Sequence, residues 1–470
     1  MRKLKLVFWG ILVLTLALWL WAKFISPPAT SFFTRDPLLQ VTGVLAMVCM
    51  SVTLALALRP RWPERSLGGL DKMYRLHKWL GIGALVFSLL HWLAESAAPR
   101  GPRGAGAGAV DASSLAGMLR GLRDGAEGLG NPGLYGVVIL IALALLRYFP
   151  YRWFYKTHRL IGIFYLLLVY HTVVLLDFDD WSKPIGWIFA LLLLAGSWAA
   201  LVALVGKVGA GRQVNGTIAE LHYYPGVESL EVAVELEPGW PGHRPGQFLF
   251  AMSSKSEGAH PYTIASPWYP GCTRLVGIIR ALGDHTRRLP EILKTGQAVR
   301  VEGPYGCFTF DDDRPYQIWI GGGIGITPFI ARMEHLSLRK DNPDWPAGQS
   351  IYLFHSTADV DDEALHKLSA DAQAANIQLH ILVDDRDGRL SGAHIREVVP
   401  GWKDASIWFC GPNGFGQAIR QDFAALGFDV ERRFHQELFE MRLGFSRVMA
   451  RLDRAIHNEM GRINQGPLRR

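Results

Sequence analysis

Cysteine is scarce in this chain. Cys49, Cys272, Cys307 and Cys410 are the four among 470 residues, and no two of them form a C-x-x-C pair. That composition excludes a disulfide framework and supports neither a zinc nor an iron–sulfur site. Lys and Arg exceed Asp and Glu by 49 to 42, a formal net charge of +7. No basic patch interleaved with aromatics accompanies that charge, so a nucleic-acid partner is excluded. There is no internal repeat. Long apolar runs are missing after about residue 205, and histidine is almost missing before it, with four of the 15 in that stretch.

The apolar runs that are present lie near 6–22, 38–58, 74–93, 133–148, 159–176 and 184–205. Each is long enough to cross a hydrocarbon core of about 30 Å at about 1.5 Å per residue. The first follows Met-Arg-Lys-Leu-Lys with no clear small-x-small site before Pro27-Pro28, and is read as a retained span. Basic residues gather at the N-terminus, at 59–72 and at 149–159. The positive-inside tendency makes that side cytoplasmic, with both termini on it, in a plasma or bacterial inner membrane. The opposite side receives Asp177-Phe-Asp-Asp180 and a Gly- and Ala-rich loop over 94–131 with a short helix near 113–123. Beyond Arg212, alternating strands over 214–221, 228–235, 247–252 and 273–280 predict a small β-barrel. From Tyr316 a strand, Gly-rich turn, helix, strand rhythm predicts a parallel α/β layer. The expected domains are 1–206, 212–312 and 313–442, with 443–470 as a surface helix or tail.

The four early histidines are His77, His91, His158 and His171. Ionisable side chains in a bilayer are costly and usually functional, and neutral imidazole is a good axial ligand for haem iron. Fourteen residues separate the first two and thirteen the second two, rises of about 21 and about 20 Å. His77 is therefore matched in depth with His158, and His91 with His171. Each pair can clamp one haem from both sides, leaving iron no open position. In an ideal helix His158 and His171 are offset by about 140°, so the fifth span must depart from ideal geometry between them.

In the second half, Pro245-Gly-Gln-Phe248 opens a strand, and His260-Pro261-Tyr262-Thr263 puts an aromatic and a hydroxyl on an extended segment. The aromatic can lie on an isoalloxazine ring, and Thr263 can bond its polar edge. Arg280-Ala-Leu-Gly283-Asp284-His-Thr286 leads into a helix whose N-terminus suits phosphate. Glu302-Gly-Pro-Tyr-Gly306 is read as a glycine-rich turn. After a strand come Gly321, Gly322, Gly323, Gly325, Thr327 and Pro328, glycines that let backbone approach a pyrophosphate and a proline suited to a first helical turn. Cys410-Gly411-Pro412, at the end of another strand, is positioned to approach a nicotinamide from the other side, or Cys410 is a core thiol. The second strand of this layer ends at Phe354-His-Ser-Thr-Ala-Asp359, with an acid and no Arg, which tilts the balance slightly to NADH over NADPH.

Taken together, these segments resemble the ferric reductase and NADPH oxidase superfamily over nearly the whole chain. The resemblance implies a six-helix transmembrane bundle, a ferredoxin-reductase-like FAD β-barrel and an α/β nicotinamide-binding domain. It also implies two b haems, FAD and inward-facing NAD(P)H. Tyr262 stands where the family commonly has Phe, and Phe439 or Phe434 is expected over the flavin. No EF-hand calcium loop precedes the first span. The implied activity is electron transfer to an outer acceptor, with oxygen (giving superoxide) favoured slightly over ferric chelates. A periplasmic partner or quinone is the alternative, with Asp177, Asp179, Asp180 and the 94–131 loop as its docking surface. A haem scaffold without catalysis is disfavoured by the nucleotide motifs.

Overall fold

The computed structural model describes residues 2–25, 35–97, 115–146, 149–176, 178–253, 258–338 and 349–437. The chain divides into two compact units between Gly209 and Ala210. The first holds helices α1 (Arg2–Ile25), α2 (Arg35–Ala57), α3 (Arg61–Leu67), α4 (Leu70–Ser96), α5 (Leu115–Leu145), α6 (Tyr151–His158), α7 (Ile161–Leu175), α8 (Phe178–Trp181) and α9 (Pro184–Leu204). Six spans among the described residues are long and apolar enough to cross a membrane, α6 and α7 together forming the fifth. The protein is a multi-pass membrane protein.

Two helix pairs set the bundle. In the antiparallel α2–α4 pair, Thr53 stands beside His77 and Leu39 beside His91. In the α5–α7 pair glycine makes the close approach possible. An added Cβ at Gly136 would lie 2.2 Å from the Phe164 ring, and one at Gly133 2.8 Å from Leu168. Small residues at helix contacts are what membrane packing selects, because lipid offers no hydrophobic gain for bulk. This corrects the expected loop over 94–131. Residues from Leu115 onward belong to α5, with Pro132 inside it. Seven glycines and a proline argue against a helix in water, but in a bilayer only internal hydrogen bonding satisfies the backbone.

The turn between α7 and α9 also differs from expectation. Asp180 is buried, accepting from Lys23 Nζ at 2.8 Å and Lys183 Nζ at 3.1 Å. It ties α1 to the α8–α9 corner and is not available as a docking carboxylate. Asp177 and part of the 94–131 segment lie outside the described residues.

The second unit starts with β1 (Gln213–Tyr224), β2 (Ser229–Leu236), β3 (Phe248–Met252), β4 (His260–Thr263), β5 (Arg274–Arg280), α10 (Asp284–Ile292) and β6 (Ala298–Tyr305). The strands form one antiparallel sheet in the order β4-β3-β6-β1-β2-β5. A bridge between Ile264 and Gly277 closes it into a barrel. Glu302 to Tyr305, expected as a turn, instead lie in β6. That strand pairs with β1 and β3, and a register shift opposite Gly303-Pro304 accommodates a residue that cannot donate to the ladder.

The chain continues through β7 (Tyr316–Gly322), α11 (Thr327–Ser337), β8 (Ser350–Thr357), α12 (Asp362–Ala374), β9 (Gln378–Val383), α13 (Asp384–Asp387), α14 (Gly392–Val398), β10 (Ala405–Cys410), α15 (Asn413–Ala425) and β11 (Phe434–Gln436). The parallel sheet has the order β11-β10-β7-β8-β9, so the order of strand addition reverses between β7 and β10. Apolar clusters cover both faces, Trp319 and Phe329 on one and Phe354, Phe409 and Phe434 on the other. This is the ferredoxin-reductase-like pairing of a flavin-type barrel with a dinucleotide-type layer.

Replacing Gly136 by Leu should cost about 1–3 kcal/mol through overpacking against Phe164. Leu at Gly128 of the same helix, which has open space beside it, should be neutral. Thermal unfolding of the detergent-solubilised chain tests the contrast, and equal melting of both variants would refute the glycine-face packing.

Candidate functional site

The four membrane histidines come together as two facing pairs. The ring centres of His77 and His158 are 6.1 Å apart, and those of His91 and His171 are 6.3 Å apart. A metal bonded at about 2 Å to one nitrogen of each ring sets the two ring centres about 6 Å apart. The gap in each pair therefore fits a metal held between two imidazoles.

The second nitrogens explain how the rings are aimed. His77 Nδ1 is 2.9 Å from the Thr53 carbonyl, His91 Nδ1 2.9 Å from that of Leu39, and His171 Nδ1 2.8 Å from that of Ala126. A carbonyl only accepts, so each Nδ1 carries the proton and each Nε2 keeps its lone pair for a metal. His158 is held differently, stacked on Phe154 at 4.8 Å. Glycines leave space for two of the rings: added Cβ atoms at Gly43 and Gly130 would lie 3.2 Å from His91 and 2.9 Å from His171.

The fifth span departs from ideal geometry where expected. The helix is interrupted at Arg159 and Leu160. Leu160, Gly162 and Ile163 donate to carbonyls three residues back, Thr157, Arg159 and Leu160. This tighter winding rotates His158 toward the face that carries His171.

In the second unit, the glycine turn and the Cys410 turn meet at the reversal point between β7 and β10, where open α/β sheets bind ligands. An added Cβ at Gly325 would lie 2.1 Å from the Cys410 carbonyl, and one at Gly322 2.9 Å from Pro412. The Gly321 carbonyl accepts from His355 Nδ1–H at 3.2 Å, and Gly323 lies beside Arg280. Thr327 and Pro328 open α11. Cys410 is buried, and burial first, then nearby Glu437, pushes its thiol well above the ordinary range. It is a neutral thiol at the crevice, not a thiolate.

On the barrel, Tyr262 pairs with Leu249 and Thr263 with Phe248 on edge strand β4. His260 is stacked on His285 at 4.3 Å, joining β4 to the start of α10. There Thr286 Oγ1 accepts from Leu282 and Gly283, each at 2.9 Å, so this end of the helix is organised by its own hydroxyl. Asp284 begins the helix. Arg280, expected beside flavin phosphate, instead pairs with Asp359 of the α/β layer. Asp359 is thus engaged and not a free ribose-reading carboxylate. Phe434 is buried against Phe409, which removes it as a flavin cover; Phe439 lies outside the described residues.

Sequence reasoning missed Glu437. Its carboxylate is buried, raises the Cys410 thiol, and would lie 3.0 Å from an added Cβ at Gly306. A lone Glu after a short strand carries no signal of that position. The carbonyls of Leu39, Thr53 and Ala126 were equally invisible, since any residue supplies one.

With this geometry in place, comparison with known proteins is informative. Residues 42–169 match the family described as the ferric reductase like transmembrane component, a segment that contains His77, His91 and His158. The chain is 28% identical over 212 residues to respiratory burst oxidase homolog protein E of Arabidopsis thaliana, covering 39% of this chain and 21% of that one. Residues 42–169 thus carry a ferric-reductase-like transmembrane component, and part of the chain is similar to part of an NADPH oxidase homologue. A flavohemoprotein of Bordetella pertussis is 28% identical over 226 residues, 42% of this chain and 53% of that protein. An NADPH oxidoreductase of Mycobacterium tuberculosis is 26% identical over 218 residues, 43% of this chain and 55% of that protein. The chain spans about half the length of these bacterial relatives. His171 lies two residues beyond the matched segment, yet its ring faces His91 as His158 faces His77.

If each facing pair holds one haem, Val at Gly130 should push the His171 ring from its place and halve the haem bound per chain, while Val at Gly128 should not. Haem-to-protein ratio by pyridine haemochrome measures this; full haem content in the Gly130 variant would refute the paired-ring site.

Proposed function

We propose that this protein carries electrons from NAD(P)H on the cytoplasmic side to an acceptor across a bacterial inner membrane. The observation that supports it above all is the two pairs of facing imidazoles, 6.1 and 6.3 Å between ring centres, stacked along the same helices. His77 and His158 would hold the inner b haem, and His91 and His171 the outer one. When bound, FAD would take the two electrons of one hydride and pass them on singly, the chemistry that one-electron haem carriers require.

The residues of the chain do the positioning. The Nδ1–H bonds to the Thr53, Leu39 and Ala126 carbonyls fix the tautomer and leave each Nε2 its lone pair for a metal. Two ligands per metal leave no open position, which favours outer-sphere electron transfer over binding at iron. Tyr262, Thr263 and His260 on β4, with Gly283, Asp284 and Thr286 at α10, form the flavin-facing set. Gly321, Gly322, Gly323 and Gly325 let the backbone approach a dinucleotide, and Cys410, Gly411 and Pro412 close the crevice from β10. As a neutral thiol, Cys410 would stand at the nicotinamide side of the crevice without competing as a nucleophile. The functional domains are 1–206, 212–312 and 313–442. Oxygen, giving superoxide, is the acceptor we favour.

The purified full chain, loaded with haem and FAD and given NAD(P)H, should reduce cytochrome c in a manner sensitive to superoxide dismutase. Reduction of ferric citrate alone, with no superoxide, would make the protein a ferric-chelate reductase instead. His91→Ala should abolish acceptor reduction while leaving anaerobic reduction of the remaining haem, read from its absorption spectrum.

A further inference from the structure

A cavity in the second unit is lined by Gly323 and Ile324 of the glycine turn, His355, Thr357 and Asp359 at the end of β8, and Arg280 of β5. In a dinucleotide fold the end of the second strand is where the adenosine ribose is read: an acid there takes a free 2′-hydroxyl, and an Arg nearby takes a 2′-phosphate. Neither Lys nor Arg lies between Phe354 and Asp359. His355 is buried and committed to the Gly321 carbonyl, so it stays neutral. Lys367, the other cation on the cavity wall, is held by both carboxylate oxygens of Glu231 at 2.9 and 3.0 Å.

Arg280 differs from both. It crosses from the barrel to the α/β layer, with Nη1 3.0 Å from an added Cβ at Gly323 and Nη2 on the Asp359 carboxylate. Its guanidinium therefore stands between the pyrophosphate turn and the ribose-reading end of β8. The turn that holds Asp359 is tied by Thr357 Oγ1, which donates to the Asp359 carbonyl at 2.8 Å. The ion pair is partly exposed, with 24% of the Arg280 side chain and 46% of the Asp359 side chain accessible, so it is weak and exchangeable. A phosphate dianion offers the guanidinium the same two-oxygen geometry with more charge.

We propose that Arg280 reads the 2′-phosphate of NADPH, with Asp359 holding the guanidinium in place until the nucleotide displaces it. This inference rests on the dinucleotide reading of the crevice given above, and it reverses the tilt to NADH drawn from the β8 segment alone. The recognising Arg comes from another strand, about 80 residues earlier, and not from the end of β8.

Binding of adenosine 2′,5′-bisphosphate and of 5′-AMP to the full chain in detergent, measured by calorimetry, isolates the 2′-phosphate. The bisphosphate should bind at least about tenfold more tightly. Arg280→Gln should reduce that ratio to about twofold or less with 5′-AMP affinity kept, and Arg280→Lys should restore part of it. Asp359→Asn should widen the ratio, since it removes both the competitor and a like charge. Equal affinities in the unaltered protein, or a ratio that survives Arg280→Gln, would overturn the proposal. If Arg280→Gln does not fold, Asp359→Asn decides: a widened ratio supports it and an unchanged one overturns it. Haem reduction by NADPH in the same preparation reports separately on electron transfer. A chain that selects the bisphosphate yet reduces no haem refutes the electron-transfer reading and upholds this one.

Discussion

An imidazole N–H inside a hydrocarbon core must find an acceptor, and the membrane unit is arranged around that requirement. Three of the four histidines donate Nδ1–H to a carbonyl on a neighbouring helix. The consequence extends beyond satisfaction of one polar group. Protonation at Nδ1 leaves Nε2 as the acceptor, and the bond fixes the direction in which it points. Leu39 and Thr53 on α2 are fourteen residues apart, the same spacing as His77 and His91 on antiparallel α4. One helix register therefore aims both rings. A slip of α2 by one residue would misdirect the two together.

The second helix pair meets the same demand by subtraction. Along α5, glycines at 130, 133 and 136 stand opposite His171, Leu168 and Phe164 of α7. Bulk on α7 is matched by absence of bulk on α5, so the helices approach closely enough for the Ala126 carbonyl to reach His171. Gly is a poor helix former in water, but in this environment its missing side chain is what the packing uses. The interruption at Arg159 and Leu160 is the third adjustment, reconciling a thirteen-residue separation with a shared face.

The second unit depends on a different constraint, the reversal of strand order between β7 and β10. It leaves a crevice at the strand ends into which two glycine-containing turns converge without side chains in the way. Additions of a single Cβ at Gly322 or Gly325 would collide with Pro412 or the Cys410 carbonyl. The barrel enters this crevice at two points, Arg280 against Asp359 and Gly306 beside Glu437. Flavin-side and nucleotide-side elements thus share contacts before any cofactor is considered.

The sequence by itself determined the six apolar spans, the histidine pairing by depth, the need for an irregular fifth span, and the succession of barrel and parallel layer. Those features follow from local composition and from helical periodicity, which a single chain displays directly. It did not reveal the start of α5, because glycine content reads as loop wherever the solvent is assumed to be water. Nor did it reveal β6 at Glu302 to Tyr305, since a Gly-Pro pair signals a turn unless a register shift accommodates it. The tertiary structure alone decided which carbonyls orient the rings, that Asp180 is consumed by Lys23 and Lys183, that Phe434 is core, and that Glu437 adjoins Cys410. It alone brought Arg280 to Asp359. Backbone acceptors carry no residue signature, and contacts between residues 79 or 157 positions apart arise only when the chain has folded.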